Sequence, residues 1–390
     1  MANTLSSILP VIYEAADTVS RELTGFIPAV FRNSTAERAG LNQTITYPVV
    51  PSMTAADITP AATPSSGTDI TVGSGSMTIS KSRKVSFNWT GEEQASLSNG
   101  DRPQLANVLR DQFAQAMRTL VNEIETDLWT AGYKGASRAY GTAGTAPFGT
   151  AGDLSDFAGV RQILDDNGSP QTDLHLVMGS AAMANLRGKQ SVLFKVNEAG
   201  TAEFLRMGMI GEVMGLNLHN SAGVTTHTKG SGGSVTPYQL NLGAGYAVGS
   251  TSFALDTGSG TILAGDILTN SQSGRDANKY VVGTALTGGV VVINAPGNRV
   301  AWVDNDTVAV GNSYTPNLAF HRNALHLITR APAMPAGGDG ADDVTEITDP
   351  ISNLTFQVAL YRQYRQISYE VGMAWGVKAV KSAHIATLIG

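Results

Sequence analysis

The sequence predicts an α+β fold in which a long helix lies across a sheet and a small β module interrupts an α/β region. Three patterns support this prediction. Apolar residues recur at helical spacing from residue 101 to 131, and helix and strand patterns alternate between residues 154 and 220. After Gly223, short strand patterns are separated by Gly, Asn and Asp turns. A chain of 390 residues is long enough for two or three domains with a large core.

The composition excludes several classes of function. The 26 Lys and Arg against 32 Asp and Glu give a formal charge of −6, which argues against a dedicated nucleic-acid binder. With 0 Cys, the chain has no thiol nucleophile, disulfide or zinc–cysteine site, and its 6 His do not pair at metal-ligand spacing. No apolar run is long enough to span a membrane, and the first residues do not form a secretory signal. We expect a non-enzymatic protein without cofactor or metal, made and kept in a cytoplasm.

The first 90 residues predict one helix and one long hairpin. Residues 5–23 have an amphipathic pattern, and a packing helix is preferred to a mobile arm. Around Tyr47 apolar and polar residues alternate, and the alternation resumes around Phe87 after a stretch rich in Pro, Ala, Ser, Thr and Gly. Residues 43–90 therefore predict two strands joined by a long excursion, either disordered or held by a partner. Because uncovered residues of this kind cannot offset their ordering entropy, we expect residues 51–76 to be ordered mainly by another subunit.

A short basic cluster stands where this excursion returns. Its members are Lys81, Arg83 and Lys84. Most short charge clusters are solvated, but a contact between subunits is a serious alternative here. We therefore take these three residues as candidate intersubunit contacts.

The clearest predicted element is a helix over residues 101–131. Asp101 suits the N-cap, Pro103 the first turn and Gly132 the end. At 1.5 Å per residue the helix would be about 45 Å long, which favours a rod lying across a sheet. The apolar stripe consists of Leu105, Leu109, Phe113, Met117, Leu120, Ile124 and Leu128.

The middle of the chain changes from an α/β to an all-β pattern. The stretches "LSDFAGVRQILDD" and "SAAMANLRGK" indicate helices, and "LHLVMG" and "MIGEVMGLNLHNS" contain strands. No G-x-G-x-x-G follows a strand, so no dinucleotide site is predicted. The later stretches "YQLNLG", "SFALD", "GTILAGDILT", "KYVVGTAL", "GGVVVINA" and "VAWV" indicate a small β-barrel or sandwich.

One motif in this β module is typical of an enzyme. "FALDTGSGTIL" contains Asp-Thr-Gly-Ser, the form of an aspartic protease loop, with Asp256 as the catalytic residue. Such a protease needs two carboxylates that share a proton. The chain holds one copy, so only a dimeric protease remains open. The alternative, which we prefer, is a turn between two strands.

The last part of the chain returns to mixed patterns. "NLAFHRNALHLITRAP" combines a short helical turn with a strand, and "LTFQVALYRQYRQISYEVGMAWGVKAV" indicates closing strands. Between them, "AMPAGGDGADDVTEITDP" indicates a flexible loop whose Asp342, Asp343 and Asp349 have the chemistry to bind a cation. Their spacing matches no EF-hand loop, so a hydrated acidic loop is preferred to a metal site.

This order of elements resembles the major capsid (coat) proteins of tailed bacteriophages. It is similar in particular to the short-tailed Salmonella-phage coat type, which carries an inserted β-barrel. The resemblance covers essentially the whole chain, and "PNLAFHRNALHLITR" and the ending "VGMAWGVKAVKSAHIATLIG" are its most family-like stretches. It implies a Hong Kong 97-type fold with a long spine helix, an extended β-hairpin loop and a small inserted barrel.

The resemblance also implies a division of the chain. An N-terminal arm or helix would cover residues 1–42, an E-loop-like hairpin 43–90, and a peripheral domain with the spine helix 91–135. An axial α/β domain would begin at 136–223, a β-barrel insertion would cover 224–313, and the return segment 314–390 would complete the axial and peripheral domains.

The implied function is structural. Such subunits pack as pentamers and hexamers into an icosahedral shell that encloses double-stranded DNA without sequence-specific contact. A scaffolding protein, a portal and a decoration protein are the further partners implied, with no membrane. The protein would reside in the virion after assembly in the cytoplasm of a bacterial host. An exported surface protein or adhesin is a weaker alternative, since no export signal supports it.

Overall fold

The computed structural model describes residues 24–50, 53, 55, 57–58, 60, 71–98, 103–189, 211–233, 236–272, 274–348 and 354–390. The helix predicted over residues 5–23 lies outside them, as do Asp101, Asp349 and most of the predicted excursion. In this part of the chain, no helix is long and apolar enough to cross a membrane.

The described elements are mainly strands. The α-helices are α1 (Gly91–Ser98), α2 (Pro103–Gly135), α3 (Ser155–Asp166) and α4 (Ser180–Lys189). The strands of the first third are β1 (Phe31–Ala39), β2 (Thr44–Val49), β3 (Gly73–Thr78), β4 (Lys81–Thr90) and β5 (Arg138–Gly141). Those of the middle are β6 (Leu174–Met178), β7 (Glu212–Val213), β8 (Leu216–Asn220), β9 (Tyr238–Leu240), β10 (Ser252–Asp256), β11 (Ile267–Asn270), β12 (Lys279–Thr287), β13 (Val290–Ile293) and β14 (Thr307–Val310). The last are β15 (Pro316–His321), β16 (Leu325–Pro332), β17 (Asp343–Thr348), β18 (Thr355–Gln363), β19 (Gln366–Ala379) and β20 (Ile385–Ile389).

Strand β19 organises the first sheet. Residues 366–375 of this 14-residue strand pair antiparallel with β4 along one edge. Along the other edge the strand pairs first with β18 and then with β16. The order β1-β16-β19-β18-β17, with β4 beside β19, gives six strands in the described residues. Helix α2 packs on this sheet against β19 and β4.

Helix α2 confirms the predicted long helix, called the spine helix below, with one correction. Phe113, Met117, Leu120, Ile124 and Leu128 are 0–1% exposed, so the apolar stripe is the core face. The side chain of Leu105 lies outside the described residues. The helix does not end at Gly132 but continues to Gly135, giving 33 residues and a length of about 50 Å.

Gly132 has a packing role instead of ending the helix. A Cβ atom at this position would lie 2.5 Å from Leu318 Cδ1 on β15, which is closer than any real contact. The glycine therefore lets α2 approach β15, and its cost as a helix residue is about 1 kcal/mol. A glycine that permits close packing has the same sequence appearance as one that ends a helix.

The predicted hairpin exists with a different second strand. Strand β2 pairs with β3 over Thr44–Thr78 to Val49–Gly73, and the two form a separate two-stranded ribbon. The alternating residues around Phe87 belong to β4, which pairs with β19. The prediction that these residues close the hairpin was wrong, because "GSGSMT" in β3 has almost no apolar alternation. Residues 73–76, predicted to depend on another subunit, are paired within this chain.

The second sheet joins an α/β layer to a closed barrel. The layer runs β5-β20-β15-β6-β8-β7, and α3 packs against β5 and β20. The strands β11-β14-β9-β10-β13-β12 continue the path, and β11 also pairs with β12, which closes six strands into a barrel. The predicted barrel or sandwich module is therefore a barrel, built around Tyr238, Phe253, Tyr280 and Trp302.

Four details of the barrel and its surroundings differ from the predictions. Only the last three residues of "GTILAGDILT" belong to a strand, Ile267–Asn270. The stretch "VAWV" contributes one isolated bridge, between Trp302 and Tyr246. Strand β14 was not predicted, because "TVAV" stands between polar turns. The stretch predicted as a flexible acidic loop contains β17, which pairs along its whole length with β18. Asp342 accepts a hydrogen bond from the backbone N–H of Arg362, 2.7 Å away.

Candidate functional site

The β2–β3 ribbon is anchored at its base. Ile45, Tyr47 and Met77 pack into a small apolar cluster with Ile328 and Ala374 of the first sheet. The Tyr47 ring lies over its cross-strand partner, where a Cβ atom in place of the Gly75 hydrogen would come within 2.3 Å of the ring. A larger residue at position 75 would displace the Tyr47 ring, so the glycine allows the ring to lie across the ribbon.

The far end of the ribbon exposes apolar side chains. Val49, Val50 and Val72 are 42%, 68% and 58% exposed, and Met53 and Ile58 beyond them are 70% and 98% exposed. Single exposed apolar residues are normal, but several at the end of one projecting ribbon mark a contact surface. No other described element covers them.

The predicted basic cluster pairs with acidic residues of its own chain. Lys81 Nζ lies 2.8 Å from Asp127 Oδ1 on α2, and Asp127 Oδ2 accepts a hydrogen bond of 2.8 Å from Trp375 Nε1. The Arg83 guanidinium lies 3.7 Å from Glu123, also on α2. Lys84 pairs with Glu370 on β19 at 2.7 Å and keeps 63% of its side chain exposed. The structure thus uses Lys81 to hold β4 on the spine helix and leaves Lys84 most accessible.

A buried carboxylate connects three segments of the chain. Glu125 on α2 is 1% exposed. It accepts hydrogen bonds of 3.1 Å from the backbone N–H groups of Phe26 and Ile27, and one of 2.9 Å from the Ser221 hydroxyl. Burial raises the pKa of Glu125 to about 7 in spite of these hydrogen bonds. The group therefore links the residue 24–30 segment, the spine helix and the chain leading to the barrel.

The barrel is joined to the rest of the chain by hydrogen bonds. The Asn294 side-chain amide donates bonds of 2.7 Å to the carbonyls of Lys134 and Ala136, at the C-terminal end of α2. Arg138, on β5, donates one bond of 3.0 Å to Asn278 of the barrel side and one of 2.9 Å to Asp166 on α3. Strand β12 also pairs with β5. These bonds supply partners to polar groups that are buried where the barrel meets α2 and β5.

A second attachment joins residues 227–230, which lead into the barrel, to Asp266 of the barrel. Asp266 is 1% exposed and accepts a bond of 2.8 Å from His227 Nε2 and one of 3.1 Å from the backbone N–H of Gly230. The carboxylate thus holds the segment that leads into the barrel.

A histidine pair connects β6 and β8. His175 Nδ1 lies 3.0 Å from His219 Nε2, and His175 Nε2 lies 3.0 Å from Asp173 Oδ1. Burial and the nearby His175 and Arg322 lower the pKa of His219 to about 4. Burial also lowers the pKa of His175 from its usual value. Among the described residues, no group of three or more His, Asp or Glu has a metal-binding arrangement.

Asp256 ends strand β10. It pairs with Gln239 of β9 in the barrel wall, and Thr257 follows it with a φ of 55°. One carboxylate oxygen of Asp256 is buried without a hydrogen-bond partner in the described residues. The residue stands at a strand-to-turn junction, as the preferred interpretation predicted, and no described observation favours the protease alternative.

The comparisons with known proteins yield structural likenesses only. The sequence matches no protein-family model and no curated protein. Its structure is similar to that described as the capsid of the cyanophage P-SCSP1u, with a TM-score of 0.48, 12% identity, and coverage of 94% of this chain and 88% of that one. It is also similar to the mature capsid of bacteriophage PhiM1, with a TM-score of 0.45, 10% identity and coverage of 94% and 87%. A third likeness is a virus-like particle from Pyrococcus furiosus, with a TM-score of 0.45, 8% identity and coverage of 97% and 98%. These three likenesses have TM-scores below 0.5 and identities of 8–12%.

Two features were missed from the sequence. Glu125 stands between Val121 and Leu128 at helical spacing, so an acidic residue inside an apolar stripe was the available signal. Tyr364 is 88% exposed in the turn between β18 and β19. It stands in the polar run "RQYRQ", and an aromatic residue among turn residues was the signal there. Neither pattern identifies a partner by itself, because the partner groups lie far away in the sequence.

Proposed function

We propose that this chain is a major capsid subunit that assembles with copies of itself into a closed icosahedral shell. The observation that carries the proposal is the β2–β3 ribbon, with a packed base and an exposed apolar end. An isolated two-stranded ribbon is marginal in water, so the free end gains most of its stability from a surface that covers it. A neighbouring copy of the chain is the surface that a repeated shell supplies.

The spine helix supports the same function. A helix of 33 residues packs on β19 and β4 of the first sheet and contacts β12 and β15 of the second, so it ties the two sheets together. Pre-organisation of this kind reduces the entropy lost when many copies associate, so modest contacts suffice for each pair. A shell subunit needs this property and needs no catalytic group.

The finer parts of the proposal follow from the resemblance to tailed-phage coat proteins. We infer pentamers and hexamers around double-stranded DNA, held without sequence-specific contact. The formal charge of −6 agrees with a wall that encloses DNA without binding it tightly. A scaffolding protein, a portal and a decoration protein are the expected partners, with assembly in a bacterial host and the virion as the final location.

The chain division is part of this proposal. Residues 224–313 would form an insertion domain around the six-stranded barrel, and residues 314–390 would return to complete both sheets. The barrel has its own apolar core, which supports independent folding. Its hydrogen bonds to α2 and β5 would set its position relative to the neighbouring subunits.

The experiment compares two matched valine substitutions. Val50→Ser changes the ribbon end, and Val248→Ser changes an equally exposed valine of the barrel, since the two are 68% and 63% exposed. Both proteins should keep the thermal stability of the wild-type subunit, because neither side chain is packed. Only Val50→Ser should lower the yield of particles in sedimentation and electron micrographs. Equal yields from both variants would remove the ribbon from the assembly contact.

A further inference from the structure

Four of the six histidines lie together at one corner of the second sheet. His175 on β6 and His219 on β8 form one pair, in which Nδ1 of the first lies 3.0 Å from Nε2 of the second. His321, at the end of β15, lies beside His384 with 6.3 Å between the ring centres, and it also acts on the pKa of His175. His175 and His321 are buried and the other two are half-buried, so a positive charge on any of these rings is partly removed from water.

The hydrogen bond between His175 and His219 exists only when at least one ring is neutral. A charged imidazole carries a proton on both nitrogens and can only donate a hydrogen bond. Two charged rings would therefore place two N–H groups against each other across 3.0 Å. The contact joins β6 to β8 while one ring is neutral and becomes repulsive when both are charged.

His321 is also bound in a form that lacks one proton. Its Nδ1 accepts a hydrogen bond of 3.2 Å from the backbone N–H of Asn323, at the start of the 3₁₀-helix Arg322–Ala324. A protonated Nδ1 cannot accept this bond. The same 3₁₀-helix carries the Arg322 guanidinium, which lies 3.3 Å from His175 Nε2. The neutral form of His321 thus helps to fix a permanent cation beside the histidine pair.

The charges around the pair oppose its protonation. Burial lowers the pKa of both rings, that of His219 to about 4, and the nearby Arg322 lowers both further. Asp173 acts in the opposite direction on His175, since its Oδ1 lies 3.0 Å from His175 Nε2. Asp173 also pairs with Arg322 at 2.9 Å, so its negative charge is shared between the two partners.

The second pair of histidines has similar surroundings. Burial lowers the pKa of His321 and of His384, and Lys381 lowers both further. Asp173 raises the pKa of His321. Acidification therefore adds positive charge to a corner that already contains the cations Arg322 and Lys381.

The histidine pair lies where the second sheet ends. Strands β8 and β7 are the last two strands of the described path beyond β6. Strand β8 pairs with β6 over residues 217–220, and β7 has only two residues. Short strands at the edge of a sheet open at a lower free energy than strands in its centre. A side-chain hydrogen bond between β6 and β8 therefore has a larger effect on local opening here than it would have in the middle of the sheet.

We propose that the His175–His219 hydrogen bond is an acid-sensitive contact that keeps the β7–β8 edge on β6 near neutral pH and releases it when both rings are protonated. The release is local, because the histidine corner is separate from the apolar core of the barrel. The contact belongs to the folded subunit and does not depend on the proposed assembly.

Hydrogen exchange followed by mass spectrometry tests this contact in the full chain. The protection of a peptide that covers β7 and β8 is measured from about pH 6.5 to about pH 4 and corrected for the pH dependence of exchange in an unstructured chain. In the wild type it should fall about a hundredfold, because the pKa of His219 lies about two units below its ordinary value and each unit is a factor of ten. A peptide that covers β12 and β13 of the barrel should keep its protection. Unchanged protection of β7 and β8, or an equal loss in the barrel peptide, overturns the proposal.

Two histidine variants separate this pair from acid effects elsewhere. His219→Gln removes the titrating ring and keeps a side chain that can hydrogen-bond to His175, so protection of β7 and β8 should change less than about threefold over the same pH range. His326→Gln is the matched control, because His326 is half-buried and burial lowers its pKa too, but its ring lies against Phe31 beside the first sheet. The control should keep the wild-type loss. A full wild-type loss in His219→Gln would overturn the proposal, and if that variant does not fold, the comparison of the two wild-type peptides decides.

Discussion

The Ser221 hydroxyl donates a hydrogen bond of 2.9 Å to the Glu125 carboxylate across 96 positions of the chain. Glu125 belongs to the spine helix, and Ser221 follows β8 at the start of the segment that leads to the barrel. The carboxylate also receives the backbone N–H groups of Phe26 and Ile27. A single ionisable group therefore joins three parts of the fold, and its protonation affects all three.

Stability should fall as pH rises through the range set by Glu125. Its pKa is raised from 4.5 to about 7 by burial, so the folded state holds the proton more tightly than the unfolded state. Protonated Glu125 therefore adds to the free energy of unfolding at low pH. This stabilisation, at most about 3 kcal/mol, is lost as the pH rises from about 4.5 to 7. Chemical denaturation of wild type and Glu125→Gln from pH 5 to 8 measures it. The variant should lack this slope, and parallel curves for the two proteins would contradict the assignment.

The two faces of the spine helix should respond differently to truncation. Leu120 is 1% exposed, whereas Thr119 is exposed and donates a hydrogen bond of 2.9 Å to the Gln115 carbonyl. Leu120→Ala should lower the free energy of unfolding by about 2–5 kcal/mol, and Thr119→Ala should change it by less than about 0.5 kcal/mol. Urea denaturation of both variants measures this difference. Similar losses at the two positions would mean that the core face is misassigned.

Two lysines of the predicted intersubunit cluster should have separate roles. Lys81→Met leaves Asp127 without its ion pair and should destabilise the subunit by about 1 kcal/mol. Lys84 is 63% exposed, so Lys84→Met should change subunit stability little, and we propose that Lys84 is the member available to a neighbouring copy. Thermal melts and particle yields of both variants test this division. Loss of assembly with Lys81→Met at unchanged stability would reverse it.

The attachment of the barrel should be separable from its folding. Asn294→Ala leaves the Lys134 and Ala136 carbonyls without their bonds of 2.7 Å and should destabilise the whole chain by about 1–3 kcal/mol. A fragment of residues 224–313 lacks those carbonyls, so the same substitution should hardly change its melting temperature. The fragment itself should melt cooperatively. A disordered fragment would contradict the proposed insertion domain.

Helices and strands with a strong apolar period could be predicted from the sequence. Elements whose structure depends on tertiary contacts could not. Helix α2 was predictable because Phe113 to Leu128 repeat at helical spacing, and the barrel because its strands are separated by turn residues. Strand β3 was not, because "GSGSMT" gains its structure from pairing with β2 and from the Tyr47 ring. Gly132 was misassigned because its role depends on Leu318, which is distant in the sequence.

The candidate contact surfaces show the same limit. Lys81, Arg83 and Lys84 were identifiable as a cluster, but their acidic partners lie on α2 and β19, and only the fold brings them together. The exposed Tyr364 required knowledge that β18 and β19 meet in a two-residue turn. Charge and composition thus locate candidate residues, whereas the groups that they face depend on topology.

The most direct test of the central claim is the size of the assembled protein. The full chain, purified from an expressing bacterium, should sediment as large particles and appear in micrographs as closed shells of uniform diameter. Val50→Ser should reduce their number under the same conditions. A wild-type protein that remains a monomer or a small dimer at every concentration tested would contradict the account.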